Sequence, residues 1–280
     1  MPSLYPHLAV GTYVAVGASA CFRQDCDSCS TGRPNLCPRL VPHGLGVDGS
    51  WAEYLVVRAV CVVPVPEGPK RVPPGVAAVA TDAVLTAYHA MKTCCGLSTE
   101  HTVLCLGLGG VGLNGVDIAK GCLGVSCLIA SDIRESAMQS ARTAGADYTV
   151  PPGELRKFVK EKKLQVDFAF DFVGSQDTFK LCFSVIRPGG TIHTLGLAAK
   201  SLVVTPYVTI TKDLTFKTSF FGTNDELVEV LRAIADGKLK PQVETRPMSQ
   251  CGQVLEDMRH GRLTGRVALI PDADLERSRL

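Results

Sequence analysis

The chain has 280 residues, 46% of them apolar, and 29 Lys+Arg stand against 27 Asp+Glu for a formal net charge of +2. That length and apolar content allow one large domain or two modest ones with a real core. The even charge, without a basic run, gives nucleic acid nothing to hold, and the apolar stretches are too short or too interrupted to cross a bilayer.

In chain order, residues 1–66 read as short β segments and loops: YVAVGA, a cysteine-rich loop, then SWAEYLVVRAVCVVPVP. The loop, CFRQDCDSCSTGRPNLC, places Cys21, Cys26, Cys29 and Cys37 within 17 residues. Thiolates at such spacings suit tetrahedral zinc, and a loop with no core of its own gains folding free energy from the metal. Unligated surface thiols, or a redox pair at Cys26 and Cys29, are the alternative. Four thiolates would close the coordination shell, which argues against a catalytic zinc here.

EGPKRVPPGV is a proline-rich connector, and AAVATDAVLTAYHAMK predicts a helix over 77–92. Strand and helix then alternate. Strands are expected near 102–107, 126–132, 147–150, 166–172 and 190–196, with helices at 111–121, 135–144, 153–163 and 175–186. That alternation argues for a parallel sheet covered on both faces. KDLTFKTSF at 212–220 reads as a sixth strand; a helix at 224–236, a short segment near 241–246, a helix at 249–260 and a strand in GRVALIP follow.

Cysteine usage bears on compartment. Cys105, Cys122, Cys127 and Cys182 lie in apolar patterns, where a thiol acts as a small buried hydrophobe, and the neighbours Cys94 and Cys95 are too constrained for an ordinary bridge together. Cys61 and Cys251 are read as packing residues. MPSLYPHLAV lacks the basic start and long apolar core of a signal peptide. The expected location is the cytoplasm.

The most informative stretch is TVLCLGLGGVGLNGVDIAKGCLGVSCLIASD at 102–132. An apolar run leads into Gly107-x-Gly109-x-x-Gly112, a helix-period segment follows, and a second apolar run ends at Asp132, 20 residues beyond Gly112. Gly107 makes a tight strand-to-helix turn, Gly109 lets backbone approach a pyrophosphate, and Gly112 lets helix and strand pack closely. Asp132 stands where a carboxylate accepts ribose hydroxyls. A glycine-rich turn in some other α/β protein is the bland alternative.

The cysteine loop, DGSWAEYLVV, a helix ending TAYHAM, GLGGVG, Asp132 and GRVALIP follow one another in an order that resembles the zinc-type alcohol dehydrogenases of the medium-chain dehydrogenase/reductase superfamily. The resemblance runs from about residue 8 to residue 271. It implies an α/β fold: a Rossmann doubly wound parallel sheet plus a partial GroES-like β-rich catalytic domain. The expected domains are 1–76 (GroES-like, with the cysteine loop), 77–220 (Rossmann) and 221–280 (return to the catalytic domain). The implied reaction is hydride transfer between an alcohol carbon and NAD(P), with zinc polarising the oxygen.

Carried over by position, Gly107, Gly109, Gly110, Val111 and Gly112 resemble the pyrophosphate and nicotinamide-side contacts. Asp132 resembles the ribose-binding acid, Thr86 a nicotinamide contact, and Arg266 a basic residue approaching the pyrophosphate. Val173, Gly174 and Leu195 fall at strand ends that line the cofactor cleft. An acid at 132 favours NAD over NADP by repelling a 2′-phosphate, and Arg134 nearby works against that preference.

The chain departs from the family pattern in three places. The family's first catalytic-zinc cysteine and a GHE motif precede the region where Met1 falls, and no GHE occurs in this sequence. The expectation is either a shortened form of a longer enzyme or a relative that has lost its metal chemistry. Asp82 stands where a cysteine ligand is common; it is read as a substitute zinc ligand or as a helix-start acid near the cofactor. Arg23 occupies an expected cysteine position, so Cys21 must reach across a longer spacer, with three-thiolate binding as the fallback. His7, His43 and His89 are weak candidates to help Asp82.

The leading functional expectation is therefore an NAD(P)-dependent oxidoreductase acting on a small alcohol, aldehyde or ketone, expected as a homo-oligomer pairing through an edge strand at SLVVTP, 201–206. The alternatives are an NAD-binding partner or sensor without a catalytic zinc, and a zinc-free enoyl or quinone reductase. The cysteine loop counts against the last.

Overall fold

The computed structural model describes residues 8–17 and 25–273. Its contacts divide the chain into two compact units, residues 1–86 with 220–280, and residues 87–219.

The unit 87–219 is built on six parallel strands: β3 (Thr102–Leu106), β4 (Cys127–Ser131), β5 (Tyr148–Thr149), β6 (Val166–Asp171), β7 (Ile186–Thr194) and β8 (Thr215–Thr218), numbered after two strands of the other unit, β1 (Val14–Val16) and β2 (Val62–Pro64). Their order is β5-β4-β3-β6-β7-β8. Strands covered on both faces must be apolar throughout rather than alternating, and TVLCL and CLIAS satisfy this. Leu104, Leu106, Ile129, Ala169 and Ile192 are fully buried, packed with Leu155, Val159, Phe179 and Cys182 from flanking helices. Each such leucine or isoleucine contributes roughly 1.5–3 kcal/mol by its burial. The strand order reverses at β3, which leaves a crevice outside the carboxyl ends of β3 and β6.

Two acids that accept backbone N–H groups fasten this unit. Asp167 accepts Thr102 N–H at 2.7 Å and Arg187 Nε at 2.6 Å, and Asp147 accepts Leu128 N–H at 2.7 Å and Lys120 Nζ at 2.8 Å. The helix Gln176–Val185 begins with a capping box, in which Ser175 and Thr178 exchange side chain-to-backbone bonds. The expected edge strand at SLVVTP is corrected: the edges of the sheet are β5 and β8, whereas 201–205 has no strand and Pro206 opens a helix to Thr211. Gln176 satisfies the Val203 backbone there, accepting its N–H at 2.6 Å and donating to its carbonyl at 3.3 Å, so no ladder is needed.

In the other unit, β1 pairs antiparallel with β2, and β9 (Val243–Pro247) pairs parallel with β10 (Arg266–Ile270). The helix Asn224–Ala235 carries a Thr223–Glu226 capping box, and Asn224 donates to the Val60 carbonyl at 2.8 Å, joining the helix to the start of β2. SWAEYLVV was expected to be β, yet 50–57 holds no strand. Tyr54 and Val56 are 90% and 97% exposed; the alternating pattern is present, but no described strand pairs with it. The helix expected over 77–92 runs from Pro74 to Cys94, with π turns at Ala80–Val84 and His89–Cys94.

His193, on β7, is fully buried: Cys95 Sγ lies 3.3 Å from Nδ1, Ser219 Oγ 3.0 Å from Nε2, and the ring stacks on Phe170. Burial, then the positive charges of Lys217 and His89, push its pKa down to about 4 from 6.5. The folded chain thus keeps His193 neutral at pH values where the unfolded chain would protonate it. The resulting stability is complete above about pH 6.5 and declines towards about pH 4, by on the order of 3 kcal/mol. Thermal melts between pH 7.5 and pH 4 should show this fall. His193→Gln should start from a lower melting temperature, because the packing is disturbed, and show a flatter decline through that window.

Candidate functional site

The turn after β3 is set by backbone geometry. Gly107 has φ +89°, a conformation that favours glycine, and its N–H donates to the Ser131 carbonyl at 2.8 Å. A Cβ added at Gly112 would collide with the Gly107 carbonyl, so glycine there permits the close helix packing. Gly109 differs: an added Cβ would meet nothing within 4 Å. Gly110 and Val111 lead into the helix Gly112–Asp117, whose first turns close through Leu113 N–H to Gly109 O at 3.0 Å and Gly115 N–H to Val111 O at 3.0 Å.

Asp132, 7% exposed, closes the other side of the turn. Its Oδ2 accepts Leu108 N–H at 2.7 Å; its Oδ1 accepts Arg134 N–H at 2.9 Å and Arg134 Nε at 3.2 Å. Burial pushes the carboxyl pKa up, but the Arg134 side chain and the two backbone donors outweigh it, and the net shift is downward. Gly107, Gly109, Asp132, Arg134 and Val173 line one cavity of about 400 Å³. Sequence reasoning missed Ile133, Pro152, Phe172 and Thr178, which also line it.

Below this cavity sits a further residue that sequence reasoning passed over. Asp171 ends β6, fully buried, and accepts Val173 N–H at 3.0 Å, Gly174 N–H at 2.9 Å and the Thr178 hydroxyl at 3.0 Å. Its carbonyl accepts Leu195 N–H at 2.9 Å. One acid thereby fixes Val173, Gly174 and Leu195 together. Burial raises its pKa, opposed by these hydrogen bonds. The legible signal was an acid ending an apolar-rich strand, as at Asp132, here followed by Gly174.

Residues 1–86 with 220–280 hold two other groups. Sγ of Cys26, Cys29 and Cys37 lie within 4.8 Å of one another, with 3.4 Å between Cys26 and Cys37. Zn–S bonds of about 2.3 Å at tetrahedral angles separate sulfurs by about 3.8 Å, so this donor set fits zinc. Cys21, Arg23 and His7 lie outside the described residues.

Asp82 sits in the π turn Ala80–Val84 and accepts the Thr86 hydroxyl at 3.1 Å, while Arg266 Nη2 lies 3.8 Å from its other oxygen. Among the described residues, no trio of potential ligands includes Asp82. His43 forms an isolated bridge with Val47, and His89 begins the second π turn. A carboxylate facing a guanidinium, without companion donors, does not fit a catalytic zinc, and no chemical step is assigned to a metal there.

A family model described as "Zinc-binding dehydrogenase" matches residues 110–236, and one described as "Alcohol dehydrogenase GroES-like domain" matches residues 3–67. An alcohol dehydrogenase of Geobacillus stearothermophilus is 32% identical over 270 residues, 95% of this chain and 78% of the relative. The chain belongs to the zinc-type alcohol dehydrogenase family. Among solved structures of such dehydrogenases and reductases, the acetophenone reductase of Geotrichum candidum in complex with NAD superposes with TM-score 0.83 at 31% identity, covering 96% of this chain and 76% of that one. The alcohol dehydrogenase of Aeropyrum pernix gives 0.85 at 27% identity, covering 94% and 77%. Within an alcohol dehydrogenase fold, the open flank of Gly109 and the crowded flank of Gly112 call for different outcomes. Gly109→Ala should change stability by less than about 1 kcal/mol yet weaken NADH binding about tenfold or more, because a methyl would occupy the approach to the backbone. Gly112→Ala should lower the melting temperature itself. Melting curves paired with NADH titrations separate the two.

Proposed function

We propose that this chain is an NAD-dependent oxidoreductase that moves hydride between a small alcohol and the nicotinamide, with the matching ketone or aldehyde as the other partner. The observation that carries this reading is the open space beside Gly109, in a cavity that runs to a buried, ionised Asp132. Gly107, Gly109, Gly110, Val111 and Gly112 would hold the pyrophosphate, Asp132 the adenosine ribose, and Val173, Gly174 and Leu195 the nicotinamide side. The nicotinamide, when bound, supplies the hydride chemistry. Alcohol oxidation also releases a proton. Thr86 Oγ1 already donates to Asp82, so a hydroxyl–carboxylate pair able to pass on and hold that proton is present.

The cysteine trio is proposed to hold a structural zinc, with Cys21 as its fourth ligand. No disulfide joins the described cysteines, which fits a reducing, cytoplasmic setting, and no helix among the described residues is long and apolar enough to cross a membrane. The expected assembly is a homo-oligomer. A second reading, dinucleotide binding without turnover, is favoured by one observation: Asp82 faces Arg266 and has no companion metal ligands among the described residues.

Two measurements test these readings. NADH fluorescence titration, followed by a screen of alcohols, ketones and aldehydes with NAD(H), should show binding and turnover. Asp82→Ala should then cost turnover about 10²–10⁴-fold while leaving NADH affinity unchanged. Binding without turnover on any substrate would favour the second reading, and absence of NADH binding would sink both. Elemental analysis should give about one zinc per chain for the cysteine site. Cys29→Ser should lose that zinc and lower the melting temperature, and a chelator should do the same to the unaltered protein. Retention of full zinc by Cys29→Ser would refute the site.

A further inference from the structure

The loops that follow β6 and β7 are stitched into one body. Leu195 N–H and Gly196 N–H both donate to the Asp171 carbonyl, at 2.9 and 3.1 Å. Ala198 N–H donates to the Val173 carbonyl at 3.1 Å, and Ala199 N–H to the Gly174 carbonyl at 2.9 Å. Between those bonds the two backbones touch. Gly174 has φ +70°, and a Cβ added there would collide with the Gly196 carbonyl, while one added at Gly196 would collide with the backbone of Val173. The Val173 side chain in turn leans on the glycine turn after β3, where a Cβ at Gly107 would strike its Cγ2.

The Asp171 carboxylate anchors this double loop from beneath. Its Oδ1 accepts both Val173 N–H, at 3.0 Å, and Gly174 N–H, at 2.9 Å. Its Oδ2 accepts the Thr178 hydroxyl at 3.0 Å, in the first turn of the helix Gln176–Val185. Val173 and Thr178 line the cavity, whereas Asp171 is fully buried behind them and does not. Whatever Asp171 does for a bound molecule, it does through the residues it holds. Without its carboxylate, two N–H groups inside the fold lose their acceptor and must turn to find another, which shifts Val173 and the loop bonded to it. A displacement of about 1 Å in a group that orients a reactant can cost about 100-fold in rate.

We propose that Asp171 is a positioning residue, holding the loops after β6 and β7 as a single wall for the nicotinamide end of the dinucleotide, while the glycine turn and Asp132 serve the other end. This rests on the dinucleotide reading of the cavity. ADP-ribose keeps the adenosine, pyrophosphate and second ribose of NADH but lacks the nicotinamide. The test is calorimetric titration of both against the unaltered chain, Asp171→Ala, Asp171→Asn and Gly196→Ala, each first shown by its melting curve to be folded. Asp171→Ala should weaken NADH about tenfold or more and ADP-ribose by less than about threefold. Gly196→Ala parts the same loops without touching the carboxylate and should give the same split, which keeps the proposal testable if Asp171→Ala does not fold. Asp171→Asn keeps an oxygen for the two N–H groups and a donor for Thr178 Oγ1, so it should bind both ligands within about threefold of the unaltered chain. Equal weakening of NADH and ADP-ribose in the alanine variants would overturn the proposal in favour of a merely structural role. So would unchanged NADH binding in Asp171→Ala, and either result would leave the dinucleotide reading standing. Binding of neither ligand by the unaltered chain would remove that reading and the proposal with it.

Discussion

The bond from Leu108 N–H to Asp132 Oδ2, 2.7 Å long, joins the turn after β3 to the end of β4. Those strands are parallel neighbours, and parallel strands carry no hairpin to register their ends. With the Gly107 N–H on the Ser131 carbonyl, this bond holds the glycine turn where the following helix can start against the sheet. The approach beside Gly109 and the seating of Arg134 follow from it. A sheet buried on both faces has its strand ends left for chemistry, so a contact that orders two adjacent ends shapes the cavity between them.

Asp171 repeats the device one strand over. It spends its carboxylate on the backbone of the loop after β6 and its carbonyl on the loop after β7. No described cation pairs with it, and its burial is tolerable because three donors aim at it. The cysteine trio orders its loop differently. Cys26 precedes, and Cys29 lies within, a single helical turn, Asp27–Ser30, that buries no residue, so a metal rather than a core would hold that segment.

Much of unit 87–219 was legible because its strands must be apolar end to end. TVLCL and CLIAS announce burial without any tertiary information, and the glycine spacing announces the turn. What was not legible is pairing across distance. Nothing in VATDAVLT says that Arg266 would face Asp82, and SDIR does not say that its arginine would fold back onto its own aspartate. Patterns also misled where their partners were other than supposed. SLVVTP has strand-like composition, but the Gln176 side chain satisfies its backbone, and SWAEYLVV alternates without a described neighbour to pair with.

The buried thiols carry a practical consequence. Burial pushes Cys95 up to about 12 and raises Cys61, Cys105, Cys127 and Cys182 as well. Nucleophilic attack requires the thiolate, so alkylating reagents at neutral pH will pass over these side chains in the native fold. Cys26 and Cys29 are partly exposed, as are Cys94, Cys122 and Cys251. Alkylation read residue by residue at Cys26 and Cys29 therefore becomes a gauge of metal occupancy, fast on the bare loop and slow once its sulfurs are bound, readable without touching the dinucleotide cavity.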